Sequence, residues 1–192
     1  MRDAPFAGYR AYEHPQFSAI SMPLTISALN SSERAAFTAS LRHIFEHSPW
    51  VAEETWGRRP FRDVVHLHAE LCRTMQSASV KKQLALICAH PDLAGRLARQ
   101  KQLTRESTHE QASAGLNQLG DVELAAFQKL NDAYRAKFSH PFIICARLNA
   151  KEAILAAMNS RLQNSPPAEH AAALAEIEKI AWLRLDDSLA KS

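Results

Sequence analysis

The sequence predicts an all-α protein, a single-domain bundle of about seven or eight helices. Three observations lead there. Apolar residues recur at helical spacing through most of the 192 residues. Glycine is scarce, at 5 residues, too few for a fold rich in tight β-turns. Only residues 142–146 read as a strand, and one strand is too isolated for a sheet. The length suits one domain rather than two. An irregular N-terminal arm over residues 1–24 is expected to precede a helical domain over 25–192.

The arm carries Phe6, Tyr9, Tyr12 and Phe17 among prolines, with no clear period. Asn30-Ser31-Ser32-Glu33 reads as a capping box that opens a helix running to about His47. Phe37, Leu41, Ile44 and Phe45 form its apolar stripe, and Ser48-Pro49 stops it. Residues 50–61 form a connection containing Gly57 and Pro60. A second helix covers residues 62–76, with Val64, Leu67, Leu71, Cys72 and Met75 on its apolar side. Ser79 caps a third, which ends near Ala89 because Pro91 disfavours helical geometry at His90. Residues 91–106 are polar and basic, with a turn of helix at 93–99. Ser107 opens a helix that stops at Gly120, and Asp121 caps a longer one to about Phe138. In the latter, Phe127, Leu130, Tyr134 and Phe138 keep helical spacing, and Pro141 breaks the run. Helices over 151–162 and 168–189 follow, separated by Pro166-Pro167.

Composition removes several classes of function. With 23 basic and 20 acidic residues the net charge is only +3, too mild to indicate nucleic acid. The basic stretch at 96–105 has no aromatic side chain on which a base could stack, so it reads as a solvated face. No apolar run approaches the roughly 20 residues that span a bilayer. Cys72, Cys88 and Cys145 are odd in number, lack metal-type spacing and sit among apolar neighbours. They read as small buried hydrophobes in a reducing cytoplasm. The N-terminus lacks a signal-peptide pattern and the C-terminus lacks the peroxisomal ending. His43 and His47, one helical turn apart, could share a metal ion. No third ligand is local, the glutamate of a zincin is missing, and they read as edge histidines. His66 and His68 fall on different helix faces. No Walker loop, Rossmann glycine pattern or nucleophile elbow is present.

Three places could carry chemistry. His90 lies at a helix end, fixed by Pro91. A helix C-terminus favours imidazolium, which suits a group that exchanges a proton near neutrality; the bland alternative is a C-cap histidine. Ser107, Glu110 and Gln111 stand at i, i+3 and i+4, hence on one helix face. Ser107 and Glu110 could equally be no more than a capping box. Arg147 follows the apolar run and could grip a carboxylate through two hydrogen bonds, or form a buried ion pair.

Taken together, these segments resemble the OHCU decarboxylases, which act on 2-oxo-4-hydroxy-4-carboxy-5-ureidoimidazoline in urate degradation. The matching stretches begin with Glu46-His47-Ser48-Pro49-Trp50-Val51-Ala52-Glu53, Arg59-Pro60-Phe61 and Ala89-His90-Pro91-Asp92-Leu93-Ala94-Gly95. They continue with Leu103-Thr104, Ser107, Glu110-Gln111, Ala114-Gly115-Leu116, Asn131-Asp132-Ala133-Tyr134 and Lys137-Phe138. Pro141-Phe142-Ile143-Ile144, Arg147 and Arg184-Leu185 complete the series, so that the resemblance covers about residues 25–189 in order.

The resemblance implies an all-α fold, no metal and no organic cofactor, and the products (S)-allantoin and carbon dioxide. It places catalytic roles on His90 and Glu110, and substrate binding on Pro91, Ser107, Gln111, Ile143 and Arg147. Backbone N–H groups after Pro141 would meet a ring oxygen. One departure stands at Ser139-His140, where the family usually has Gly-Phe. The expected partner is a small-molecule substrate, with no nucleic acid and no membrane. Trp50 and the apolar connection around it would cover a pocket or a subunit contact, which leaves a homodimer open. Two other classes stand beside this reading: a non-catalytic helical interaction module of the same fold, and a metal-dependent hydrolase using His43, His47 and another histidine.

Overall fold

The computed structural model describes residues 24–95 and 102–189. Nine α-helices lie among the described residues, and no strand does. The arm before Leu24 and part of the 93–99 turn and of the basic 96–105 stretch fall outside them.

The first expected helix is two. Helix α1, Ile26–Ser31, starts at Thr25, whose side chain accepts the Ala28 N–H. Helix α2, Arg34–Leu41, follows an extended Ser32 and an extended Glu33. Asn30 does not cap a helix. Its amide exchanges two 2.8 Å bonds with the backbone N–H and carbonyl of Phe61. Arg59 Nη1 donates to the Asn30 and Ser32 carbonyls, at 2.9 and 2.7 Å. These bonds satisfy the chain between α1 and α2 and let it bend. Turns then lead through His47, whose φ of 44° is left-handed.

The expected connection at 50–61 is partly helical. Pro49 stands at the cap of α3, Trp50–Thr55, where its missing N–H costs nothing. A 3₁₀ turn, Trp56–Arg58, continues it. Helix α4, Val64–Gln76, is capped by Asp63, and α5, Val80–Ala89, by Ser79. Thr104, not Ser107, caps α6, Arg105–Ser113, which ends well before Gly120. Gly120 is the N-cap of α7, Asp121–Phe138, and the Glu123 carboxylate accepts its N–H. Helix α8 spans Lys151–Arg161. Helix α9, Pro166–Ser188, takes Pro166 and Pro167 into its first turn, which tolerates proline, so they start the helix rather than precede it.

The helices enclose two apolar cores. One gathers Phe37, Leu67, Leu71, Leu86, Ile177 and Ala181 from α2, α4, α5 and α9. The other gathers Phe127, Tyr134, Ile154 and Met158 from α7 and α8. The extended segment after Pro141 threads between them. Ile143 and Cys145 enter the first core, while Phe142, Ile144 and Ala146 enter the second. That alternation is the period of an extended chain, and it explains the strand-like composition without a sheet. Cys72 and Cys145 are buried as expected, but Cys88 is exposed, because it falls on the outer side of α5. Among the described residues no helix is long and apolar enough to cross a membrane.

Candidate active site

Helix α5 ends at Ala89, and His90 turns the chain into extended geometry as its C-cap. His90 is 7% exposed. Its Nδ1 lies 2.9 Å from the Leu86 carbonyl oxygen, which can only accept, so Nδ1 carries the proton. Nε2 is then the bare lone pair, buried and without a hydrogen-bond partner. Burial pushes the imidazole below its ordinary value, and Arg184 adds to this. The Leu86 carbonyl and the carboxylates of Glu46 and Glu110 pull the other way without reversing it. The geometry describes a neutral imidazole with an available acceptor.

The loop after His90 is held from two helices. Gln111 Oε1 accepts the Ala94 N–H at 2.9 Å, and Nε2 reaches the Asp92 carbonyl at 3.4 Å. From α7, Asn131 Nδ2 donates to the Leu93 carbonyl at 2.9 Å, and Arg135 Nε meets both Asp92 carboxylate oxygens at 3.0 Å. These bonds fix Ala94 at a φ of 50°. Gln111 therefore commits much of its hydrogen-bonding capacity to the loop that carries Pro91 and Leu93.

An arginine organises the acidic side. Arg184, 4% exposed, projects from α9. Its Nε and Nη2 meet the two oxygens of Glu110 at 2.6 and 2.8 Å. Nη2 also lies 2.9 Å from Glu46 Oε2. Nη1 donates to the His43 carbonyl at 3.1 Å. Glu46, 3% exposed, further accepts from Thr104 Oγ1 at 2.9 Å and Ser107 Oγ at 3.1 Å. Burial alone would raise the Glu46 pKa, but Arg184, with the Thr104 bond, brings it below the usual carboxylate range. Burial likewise disfavours a charged Arg184, yet its bonds to Glu110 and the Glu46 charge hold it firmly cationic.

His90, Pro91, Ser107, Glu110, Gln111 and Ile143 line one cavity of about 30 Å³ with Leu93, Phe142, Ile144, Ala146 and Ile180. It is far smaller than the small-ligand pockets of about 300–1,000 Å³, and it adjoins at Glu110 a cleft of about 880 Å³. Arg147 is not in that lining. It pairs with Asp187 in a neighbouring cleft that also reaches Glu110 and Arg184. Arg147 bonds both oxygens of the Asp187 carboxylate, because the 3₁₀ turn Ala146–Leu148 faces it towards the outer end of α9, while the buried arginine beside Glu110 is Arg184. Trp50 is also absent from the lining; it packs against the first core, with Lys82 Nζ 4.9 Å from its ring centre.

Sequence reasoning gave no role to Glu46 or Arg184, although both fall in matched stretches. A signal existed for Arg184. Ile177, Ile180, Ala181 and Arg184 follow at i, i+3, i+4 and i+7, which puts a charge on the buried stripe of α9. His43 and His47 do not come together on one ligand: His43 Nε2 bonds Ser188 Oγ at 2.7 Å, and His47 lies 3.9 Å from Glu46. No group of three or more His, Cys, Asp or Glu able to hold a metal ion occurs among the described residues. At the departure from the family pattern, Ser139 takes a left-handed φ of 62°, and His140 is buried, bonded through Nδ1 to the Pro141 carbonyl at 2.8 Å and stacked near Phe138.

Comparison with known proteins agrees on one description. The family model for OHCU decarboxylase matches residues 30–186. A 2-oxo-4-hydroxy-4-carboxy-5-ureidoimidazoline decarboxylase of Halalkalicoccus jeotgali is 41% identical over 85% of this chain and 91% of its own length. One of Xenopus laevis is 35% identical over 85% of this chain and 94% of its own. Among solved structures, a crystal structure of (S)-allantoin synthase superposes with a TM-score of 0.69 at 32% identity, covering 88% of this chain. This chain spans 55% of that longer one. An OHCU decarboxylase crystallised in the presence of (S)-allantoin shares the fold, with a TM-score of 0.63 at 22% identity.

Proposed function

The chain belongs to the OHCU decarboxylase family, and from that premise we propose that it converts 2-oxo-4-hydroxy-4-carboxy-5-ureidoimidazoline to (S)-allantoin and carbon dioxide. The observation that carries the reading is the buried, unpartnered Nε2 of His90 in a cavity shared with Glu110, itself held at two points by Arg184.

The substrate's own bonds explain what is asked of the protein. The carbon that loses its carboxylate also bears the hydroxyl, and a ring C=N lies beside it. When the carbon–carbon bond breaks, its electron pair moves into that unit. Two protons then complete the product, one at the ring nitrogen and one at the ureido-bearing carbon. One comes from the hydroxyl, which becomes the carbonyl, and one from water. His90 Nε2 takes the hydroxyl proton and relays it to one face of the ureido-bearing carbon, which sets the hand. Glu110, oriented by Arg184, accepts hydrogen bonds from the ring or hydroxyl. Ser107 and Gln111 meet the polar edges, while Pro91 and Ile143 confine the ring.

Every residue in these roles comes from one chain, so a homodimer is not required for the chemistry; light scattering decides whether one forms. The odd number of cysteines, without metal-type spacing, supports the reducing cytoplasm as the place of work. A non-catalytic module has no use for an unpartnered buried imidazole, a cost without return.

The test is an assay on freshly generated substrate, following carbon dioxide release and the circular dichroism of the allantoin. A single (S) product faster than spontaneous decay is expected. Racemic product at the spontaneous rate refutes the reading.

A further inference from the structure

We propose that Arg161 is a positioning residue that sets the shape of the cavity wall formed by Phe142 and Ile143, and through it the affinity for substrate; this rests on the reading above. The wall is an extended chain with no strand beside it among the described residues, and side chains rather than a ladder of backbone bonds there fix its course. Glu176 Oε2 accepts the Cys145 N–H at 2.8 Å, and Asn149 Nδ2 donates to the Cys145 carbonyl at 2.9 Å. At the cavity itself the hold comes from Arg161, the last residue of α8.

Arg161 uses its planar fork in three directions. Nη1 donates to the Ile143 carbonyl at 2.7 Å. The guanidinium carbon sits 4.5 Å from the centre of the Phe142 ring. Nε lies 3.2 Å from Glu169 Oε2, and Nη2 bonds the other oxygen. The Glu169 side chain is fully buried in the first turn of α9, where the helix dipole favours a carboxylate, and Asn164 Nδ2 holds it again at 2.9 Å. Arg161 is therefore clamped by one helix and in turn clamps the ring and carbonyl of two residues that line the cavity. It touches no reacting atom. Lysine has one compact ammonium and cannot pair with Glu169, reach the Ile143 carbonyl and stack on Phe142 at once.

The test is Arg161→Lys, assayed beside the wild type with freshly generated substrate. A wall that has lost its hold should lower kcat/KM about tenfold, mostly through KM, with kcat of the folded enzyme little changed. A purely structural arginine would instead lower the melting temperature and leave KM as it was. Should Arg161→Lys fail to fold, the double variant Arg161→Met/Glu169→Gln removes the buried charge on both sides, and its KM is read in the same way. Wild-type activity with an unchanged KM in the folded variant overturns this inference alone. An inactive wild type overturns the functional reading and this inference with it.

Discussion

Arg184 grips Glu110 through both carboxylate oxygens, although the two residues are separated by 74 positions in the chain. The same guanidinium lies 2.9 Å from Glu46, so one buried cation holds two carboxylates at the floor of the network. Arg184→Lys keeps the charge and loses the fork. We expect the rate per folded molecule to fall at least about tenfold, since a single ammonium cannot hold Glu110 at two points and still reach Glu46. Arg184→Met leaves the buried Glu46 and the half-buried Glu110 carboxylates without their cation and should destabilise the fold by about 3–5 kcal/mol, read by urea titration.

His90→Asn keeps a polar side chain of similar reach but cannot exchange a proton. General acid–base assistance is worth about 10²–10⁴-fold, and turnover should fall by that factor with the far-ultraviolet spectrum unchanged. Spontaneous decay would then compete, and the allantoin would drift towards a racemate. Full activity with a single enantiomer would return His90 to the role of a helix end.

Acid should act in two stages. The folded protein holds His90 neutral below its ordinary value near 6.5, while the unfolded chain protonates there freely. Below about pH 6.5 the unfolded state therefore binds the extra proton, and stability declines as pH falls towards the lowered folded value. Glu46 adds a second loss below about pH 4.5, since its folded pKa is also lowered. The acid limb of kcat/KM should have an apparent pKa below 6.5. Denaturant melts at a series of pH values, with His90→Asn as control, check the assignment: the first stage should shrink in that variant, leaving the part due to His43 and His170, whose pKa values burial also lowers.

Ser139→Gly should stabilise the protein. Ser139 ends α7 in the left-handed region, at φ 62° and ψ 17°, where a Cβ is unfavourable and glycine is the common helix-ending residue. A gain of about 0.5–1 kcal/mol, or roughly 1–4 °C in melting temperature for a domain of this size, is expected with no change in turnover. An unchanged or lower melting temperature would mean that the surrounding contacts already relieve the strain.

The fold class was legible because helical spacing is a local property, and so was most of the cavity. His90, Glu110 and the segment after Pro141 carry their signals within a few residues. What escaped depends on distant partners. The break between α1 and α2 follows from Asn30 bonding Phe61, 31 residues away. Ser107 looked like a cap until Thr104 took that place, which freed its hydroxyl for Glu46. Arg147 was legible as an arginine that grips a carboxylate, and it pairs with the exposed Asp187, whereas Arg184 reads locally as one more charged residue in a long helix. Only its place on the apolar stripe distinguishes it.

Helix α9 carries Glu169 in its first turn and Arg184 near its end, 15 positions apart by residue number and about 22 Å at helical rise. One anchors the arginine that shapes the cavity wall; the other holds the acidic floor. A single rigid rod thus acts as a gauge between two supports of one chamber. Substitutions along its exposed side leave that spacing intact, but adding or deleting a single residue between the two would turn one support by about 100° relative to the other. The middle of α9 should therefore tolerate changes of identity far better than changes of length, a rule that any redesign or chimera of this enzyme must respect.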